Sequence, residues 1–210
     1  MFNYFSKLRS VIQSRGISQQ KFYSRILGKT IFVKQNVFYP DEAEHFMLPF
    51  MKSRASLFRN ARVLEIGSGA GLISLYAAKL GAKNVLATDI NSQAIQTLEK
   101  NKRLMSFGSV IKTKHVTAIP PAAYAGMTGG KKFDVIISNP PYIAEGDPHL
   151  ADLPFEPKIA LTAGDEGLDA LQHIITTAPA YLNKNGILIL EHGYDQRSKL
   201  IALFESQHFQ

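Results

Sequence analysis

The sequence has no cysteine in its 210 residues, which excludes a disulfide scaffold, a thiolate zinc site and a cysteine nucleophile. None of these is needed to hold a core. A chain of this length buries roughly 70% of the surface its unfolded form exposes. The six histidines are scattered, so no metal site is expected. Long apolar runs are also missing. None approaches the roughly 20 residues that span a bilayer, so no membrane-embedded segment is expected. Internal repeats and low-complexity tracts are absent as well, which leaves an ordinary globular composition of 45% hydrophobic and 20% charged residues.

The most informative shortage is of acid. Residues 1–40 contain Lys7, Arg9, Arg15, Lys21, Arg25, Lys29 and Lys34, but no Asp or Glu. The other 17 Lys and Arg are matched by 17 Asp and Glu, so the first fifth of the chain carries the whole net charge of +7. Residues 1–40 read as a basic accessory segment and residues 41–210 as the main domain. Within the segment, Phe5, Leu8, Val11 and Ile12 recur at helical spacing up to Gly16. A second short helix is expected over Gln20–Leu27, closed by Gly28, and then a β-branched and aromatic strand over Thr30–Phe38. Such a segment either caps the main domain or, being acid-poor and amphipathic, acts as an organellar transit peptide. The expected location is cytoplasmic in the first case and mitochondrial in the second. A basic segment also fits contact with nucleic acid or the ribosome.

From Arg62 onward short apolar runs alternate with helical patterns. Strands are expected at Arg62–Gly67, Asn84–Ile90, Val110–Val116, Phe133–Ser138 and Gly186–Glu191. Helices are expected at Leu72–Leu80, Ser92–Met105, Gly167–Leu182 and Asp195–Ser206, after an amphipathic helix around Phe46–Met51. This alternation predicts a doubly wound α/β domain, with a mostly parallel sheet covered on both faces. Its ligand is expected beyond the carboxyl ends of the strands.

The turn after the first of these strands is Glu65-Ile66-Gly67-Ser68-Gly69-Ala70-Gly71. A dinucleotide fingerprint would read GxGxxG, with the pyrophosphate on the helix N-terminus. Here the third glycine comes one residue early. That spacing fits a ligand whose close contact is an amino-acid moiety, as in S-adenosylmethionine (SAM). A plain tight strand–helix turn would use glycine in the same way. Asp89, ending the next strand, can accept both hydroxyls of a ribose, although a helix N-cap would use the same residue type. Glu65 stands behind the turn, where it can orient the ligand or the turn amides.

The fourth strand runs into Ser138-Asn139-Pro140-Pro141-Tyr142. Two prolines fix φ twice and remove two N–H donors, which makes a stiff, pre-shaped loop. The Asn139 side-chain oxygen and the Pro140 carbonyl remain as acceptors for the two N–H groups of a planar amine. Holding both aims the nitrogen lone pair out of the plane, as an in-line methyl transfer requires. Tyr142 adds a flat surface against the same planar group.

Asn139–Tyr142 is the NPPY signature of class I SAM-dependent methyltransferases, which have a Rossmann-like fold. The stretch after it resembles the protein-(glutamine-N5) methyltransferases that modify peptide chain release factors. Asp147–Leu150, Phe155-Glu156-Pro157, Ala163–Asp169 and Glu191–Gln196 carry that match, within a similarity spanning roughly residues 60–207. The resemblance implies methylation of the glutamine in a Gly-Gly-Gln loop. It places Glu65, Gly67, Ser68, Gly69, Ala70, Gly71, Asp89, Thr117 and Asn139 around SAM. Asn139, Pro140, Pro141 and Tyr142 would hold the glutamine, with Asn139, Pro140 and Tyr142 as the catalytic set. His149, Glu156 and His192 also match, but are read as structural hydrogen-bonding residues. The chain departs from the pattern at Thr117-Ala118, where the family has an adenine-binding acid. Its loop over 120–130 is longer, its N-terminal recruiting segment is shorter, and no closing C-terminal hairpin follows the last helix. Either the chain is truncated there or a partner covers the sheet edge.

Three functions are compatible with these residues. The first is transfer of a methyl group to a protein glutamine, with a release factor as partner. The second is methylation of an exocyclic base amine in RNA or DNA, of the N6-adenine or N2-guanine type. The third is a non-catalytic scaffold of the same fold.

Overall fold

The computed structural model describes residues 19–117, 130, 132–153 and 156–209. The helix expected around Phe5–Ile12, Ala118, most of the loop over 120–130 and Phe155 lie outside them. The described chain opens with β1 (Gln19–Ser24) and β2 (Lys29–Lys34), paired as an antiparallel hairpin with Lys21 opposite Phe32 and Phe22 opposite Ile31. Two short helices, α1 (Asp41–His45) and α2 (Met47–Ser53), lead into β3 (Arg62–Ile66). Then come α3 (Leu72–Lys79), β4 (Asn84–Asp89), α4 (Ser92–Leu104), β5 (Ile111–His115) and β6 (Phe133–Ser138). The chain continues through α5 (Asp169–Thr177), β7 (Leu182–Leu190) and α6 (Arg197–Ser206). Among the described residues no helix is long and apolar enough to cross a membrane.

β3 to β7 form one parallel sheet in the order β5-β4-β3-β6-β7. Successive side chains on a strand point to opposite faces, and the sheet uses both. Val63, Val85, Val135 and Ile137 join Leu72 and Leu75 of α3 and Leu98 of α4 in one core. Leu64 and Ile136 pack on the other face with Ala178 and Leu182, and Leu171, Ile175 and Leu200 of α5 and α6 pack alongside. The strand order runs away from β3 in both directions, so a crevice opens between the carboxyl ends of β3 and β6.

The structure corrects the sequence expectation at four elements. The segment over Gln20–Leu27 is strand β1 followed by a turn, not a helix. Phe22 and Ser24 are buried while Lys21 and Tyr23 are exposed, a period of two that needs β2 as its partner. The strand expected to reach Phe38 stops at Lys34, before Asn36 with φ of 60°. Near the other end, the helix expected over Gly167–Leu182 ends at Thr177 and tightens into a 3-10 turn over Ala178–Ala180. Leu182 already belongs to β7, whose register shifts opposite β6 between Phe133 and Val135.

The hairpin shares the core of the main sheet. Phe22, Ile31 and Val33 are buried in the same cluster as Leu98 of α4. Ser24 donates to Glu44 (2.5 Å), which also accepts from the Ile26 amide (2.9 Å). Asn101 of α4 is fully buried and forms the polar tie. It accepts from the Phe32 amide (2.8 Å) and donates to the carbonyls of Phe32 (2.8 Å) and Ala70 (2.9 Å). One side chain therefore joins the hairpin to the glycine turn after β3.

Candidate active site

The chain passes from β3 into α3 through Gly67, Gly69 and Gly71, all at positive φ (72°, 52° and 89°). Side chains with a Cβ are strained in that region, so the turn depends on glycine. The Gly67 and Ser68 amides donate to the Thr88 carbonyl at 2.9 and 3.0 Å, fixing the turn against β4. Gly71 faces inward, where a Cβ would stand 2.1 Å from Leu98 Cδ1. It serves close packing of the turn on α4 and does not line the cavity. Around Gly69 no atom lies within 4 Å of where a Cβ would stand, which leaves that side of the turn open.

Asp89 closes the far side of the turn. Its Oδ2 accepts from the Gly69 amide and its Oδ1 from the Asn91 amide, both at 2.8 Å. The N-cap of α4 is Asn91, whose side chain accepts from the Gln93 amide, so the capping alternative for Asp89 does not hold. Burial pushes the Asp89 carboxyl above its ordinary range, while the Asn91 and Gly69 amides pull it back. Glu65 lies beneath the turn at 1% exposure and accepts from the Ser74 hydroxyl of α3. Burial raises its pKa to about 8, opposed by that hydrogen bond and reinforced by the nearby Asp89 charge. At neutral pH Glu65 is therefore a mostly neutral group.

A cavity of about 950 Å³ spreads from the glycine turn to the carboxyl end of β6. It brings together Glu65, Gly67, Ser68, Gly69, Ala70, Asp89, Asn139, Pro140, Pro141 and Tyr142. Of the expected site residues, Gly71 and Thr117 are not on its wall. Thr117 is exposed, and Val116 and Ile90 line the cavity there instead. The Ser68 hydroxyl is buried without a hydrogen-bond partner among the described residues. The Asn139 side chain likewise has none among them. His149 is exposed and paired with Asp147 (2.8 Å), and His192 bonds the Gly193 carbonyl (2.7 Å). Glu156 accepts from the Tyr39 amide (3.2 Å), tying the exit of the hairpin to the loop after the NPPY segment. His149 and His192 also line the cavity, while Glu156 does not.

Two features go beyond what the sequence shows. The first is the bonding of Gln196, a residue inside the family-like stretch and buried at the start of α6. Its Nε2 donates to the Tyr142 carbonyl (2.9 Å) and lies within 3.4 Å of the Gly167 and Glu166 carbonyls, while its Oε1 accepts from the Gly193 amide (2.9 Å). Gly167 packs so closely that a Cβ would stand 2.2 Å from the same Tyr142 carbonyl. The NPPY exit is further zipped to a neighbouring segment, the Ile143 amide donating to Leu161 (2.9 Å) and the Ala163 amide to Ile143 (3.1 Å). The second is the charge of the cavity. Its described lining holds Asp147, Asp152, Glu166, Asp169 and Asp195 beyond the glycine turn, and no Lys or Arg.

Comparison with known proteins agrees with this geometry. Residues 28–152 match the family model of the methyltransferase small domain. The release factor glutamine methyltransferase of Xylella fastidiosa is 40% identical over 148 residues, covering 69% of this chain and 51% of that protein. The protein of the same description from Neisseria gonorrhoeae is 36% identical over 186 residues, covering 87% and 65%. This chain spans about half the length of most of the curated relatives it matches. Among solved structures, a 16S rRNA N2-guanine methyltransferase from T. thermophilus, in complex with AdoMet and guanosine, superposes with a TM-score of 0.63 at 22% identity. That match covers 90% of this chain and 45% of the other. A ribosomal protein L11 methylase from Lactobacillus delbrueckii gives 0.58 at 22%, over 83% and 72%. At such identities the two structures speak for the fold alone.

Proposed function

This chain belongs to the methyltransferase small domain family, and from that premise we propose that it transfers a methyl group from SAM to a glutamine side-chain amide (N5) in a protein. The Gly-Gly-Gln loop of a peptide chain release factor is the substrate this reading favours, given the names of the relatives. It also places the protein beside translating ribosomes, in the cytoplasm. The observation that carries it is the cavity. A stiff Asn-Pro-Pro-Tyr segment and an open glycine turn border one space whose described lining has no cation. A nucleic acid would bring its phosphates against Asp152 and Asp195, and like charges brought together in this way repel. A neutral amide on a peptide meets no such penalty. The base-amine alternative is thereby disfavoured.

The residues present fit SAM. Asp89 has acceptor positions beyond the two amides it already serves and would take ribose hydroxyls. The unpartnered Ser68 hydroxyl would take the amino-acid end, with Ile90 and Val116 beside the base. When bound, SAM supplies an electrophilic sulfonium methyl. The chain supplies the positioning. The Asn139 side-chain oxygen and the Pro140 carbonyl accept the two amide N–H groups and turn the nitrogen lone pair outward, and Tyr142 packs on the flat amide. A methylated amide nitrogen is cationic and gives one proton to water, so no general base is required.

The test is incubation with SAM and an unmodified release factor, followed by mass spectrometry of the Gly-Gly-Gln peptide. One added methyl on that glutamine is expected. Clear SAM binding by calorimetry without methylation would remove the release factor as substrate. No SAM binding at all would return the chain to the scaffold reading.

A further inference from the structure

The hairpin has a second face that the methyl-transfer reading leaves unused. Phe22, Ile31 and Val33 point inward, so Lys21, Tyr23, Thr30 and Phe32 alternate with them on the outside. Tyr23 is 62% exposed, although it is a large aromatic side chain. Opposite Lys21, the Phe32 ring lies under two ammonium groups, Lys100 of α4 at 3.8 Å from its centroid and Lys21 at 6.0 Å. Arg25 and Lys29 are exposed around the hairpin turn. Among the described residues no carboxylate pairs with Lys21, Arg25 or Lys29, and residues 1–40 contain no acid to do so. Like charges gathered on one face repel each other unless a polyanion joins them.

We propose that this outer face binds single-stranded nucleic acid, with Lys21, Arg25 and Lys29 taking phosphates and the Tyr23 ring stacking on a base. Cations supply contacts that follow any backbone, and an aromatic ring among them supplies a sequence-tolerant platform. An acidic protein would use the cations but gain little from a bare ring. The site is separate from the cavity, whose anionic lining would reject the same ligand.

Fluorescence anisotropy of the whole chain with a labelled single-stranded RNA of about 12 nucleotides tests the assignment. Affinity is expected to fall with salt, with a log–log slope of about −2 for three phosphates. Lys21→Glu with Lys29→Glu is expected to weaken binding at least about tenfold. Tyr23→Ala is expected to weaken it severalfold with the slope unchanged, and Tyr23→Phe to restore it. These side chains are exposed, so the variants keep the melting temperature of the parent, which circular dichroism checks. Three results would each overturn the proposal. They are no RNA binding, RNA binding unaffected by the charge reversals, and equal affinity for polyglutamate.

Discussion

Two carboxylates lie beside the glycine turn, and their surroundings give them opposite duties. Asp89 takes two backbone amides and keeps acceptor capacity toward the cavity. Glu65 is sealed beneath α3 with a single hydroxyl partner, and burial lifts its pKa to about 8. An acid whose folded pKa is raised holds its proton in the native state after the unfolded chain has lost it. Stability is then greatest below the ordinary value of 4.5, falls as pH rises toward about 8, and levels off above that. Glu65→Gln is expected to flatten this decline in urea midpoints measured across that range; an unchanged slope would mean that Glu65 is ionised in the fold. Asn139 has the contrasting signature. Asn139→Ala is expected to lower kcat by about a hundredfold or more, because misaligned reactants lose rate steeply. SAM affinity measured by calorimetry should change far less, since the proposed cofactor contacts lie in the glycine turn and at Asp89. Comparable losses in both would contradict a positioning role.

At the scale of elements, the reactive loop is set by its neighbours as much as by its own prolines. Gln196 binds the exit of β6, the entry to α5 and the start of α6 to one another. Gln196→Glu keeps the shape but turns a donor toward carbonyls into an acceptor. We expect it to lower kcat by about tenfold to a hundredfold while leaving SAM affinity within about twofold; a parallel loss of SAM binding would indicate general unfolding instead. The glycine turn and Asn-Pro-Pro-Tyr were legible in the sequence because their chemistry lies in adjacent residues after apolar strands. The bonding of Gln196 was not, although the residue lies in the family-like stretch, since its main carbonyl partner is 54 positions away. Asn101 was hidden for the same reason, reading as one polar residue on a helix while bridging Phe32 and Ala70. β1 was misread because the short run from Phe22 to Leu27 fits a helical pattern as well as a strand until β2 is beside it.

Over the whole molecule, charge is divided between two places. The net +7 comes from residues 1–40, and the described part of that segment presents its cations on the outside of the hairpin. The described lining of the cavity holds several carboxylates and no Lys or Arg, with Asp147 held below the ordinary range by the His149 amide and imidazole. The outer face of the hairpin would therefore attract anions while the carboxylates at the cavity would repel them. A glutamine flanked by Lys or Arg would gain at the cavity mouth, and one flanked by Asp or Glu would lose. With SAM saturating, glutamine peptides with flanking Lys are expected to show a lower KM than their Ala counterparts at low ionic strength, and acidic ones a higher KM. kcat should be nearly common to all three, because in the proposed reaction Asn139 and Pro140 would meet the same amide. Raising salt shortens the reach of these fields, from roughly 10 Å at 0.1 M to roughly 3 Å at 1 M, so the KM values should converge. Asp152→Lys, an exposed change at the rim, should shrink the advantage of basic peptides without altering the melting temperature. If KM ignores flanking charge at every salt concentration, the carboxylates of the mouth do not choose the substrate, and its recognition belongs to surfaces away from the cavity.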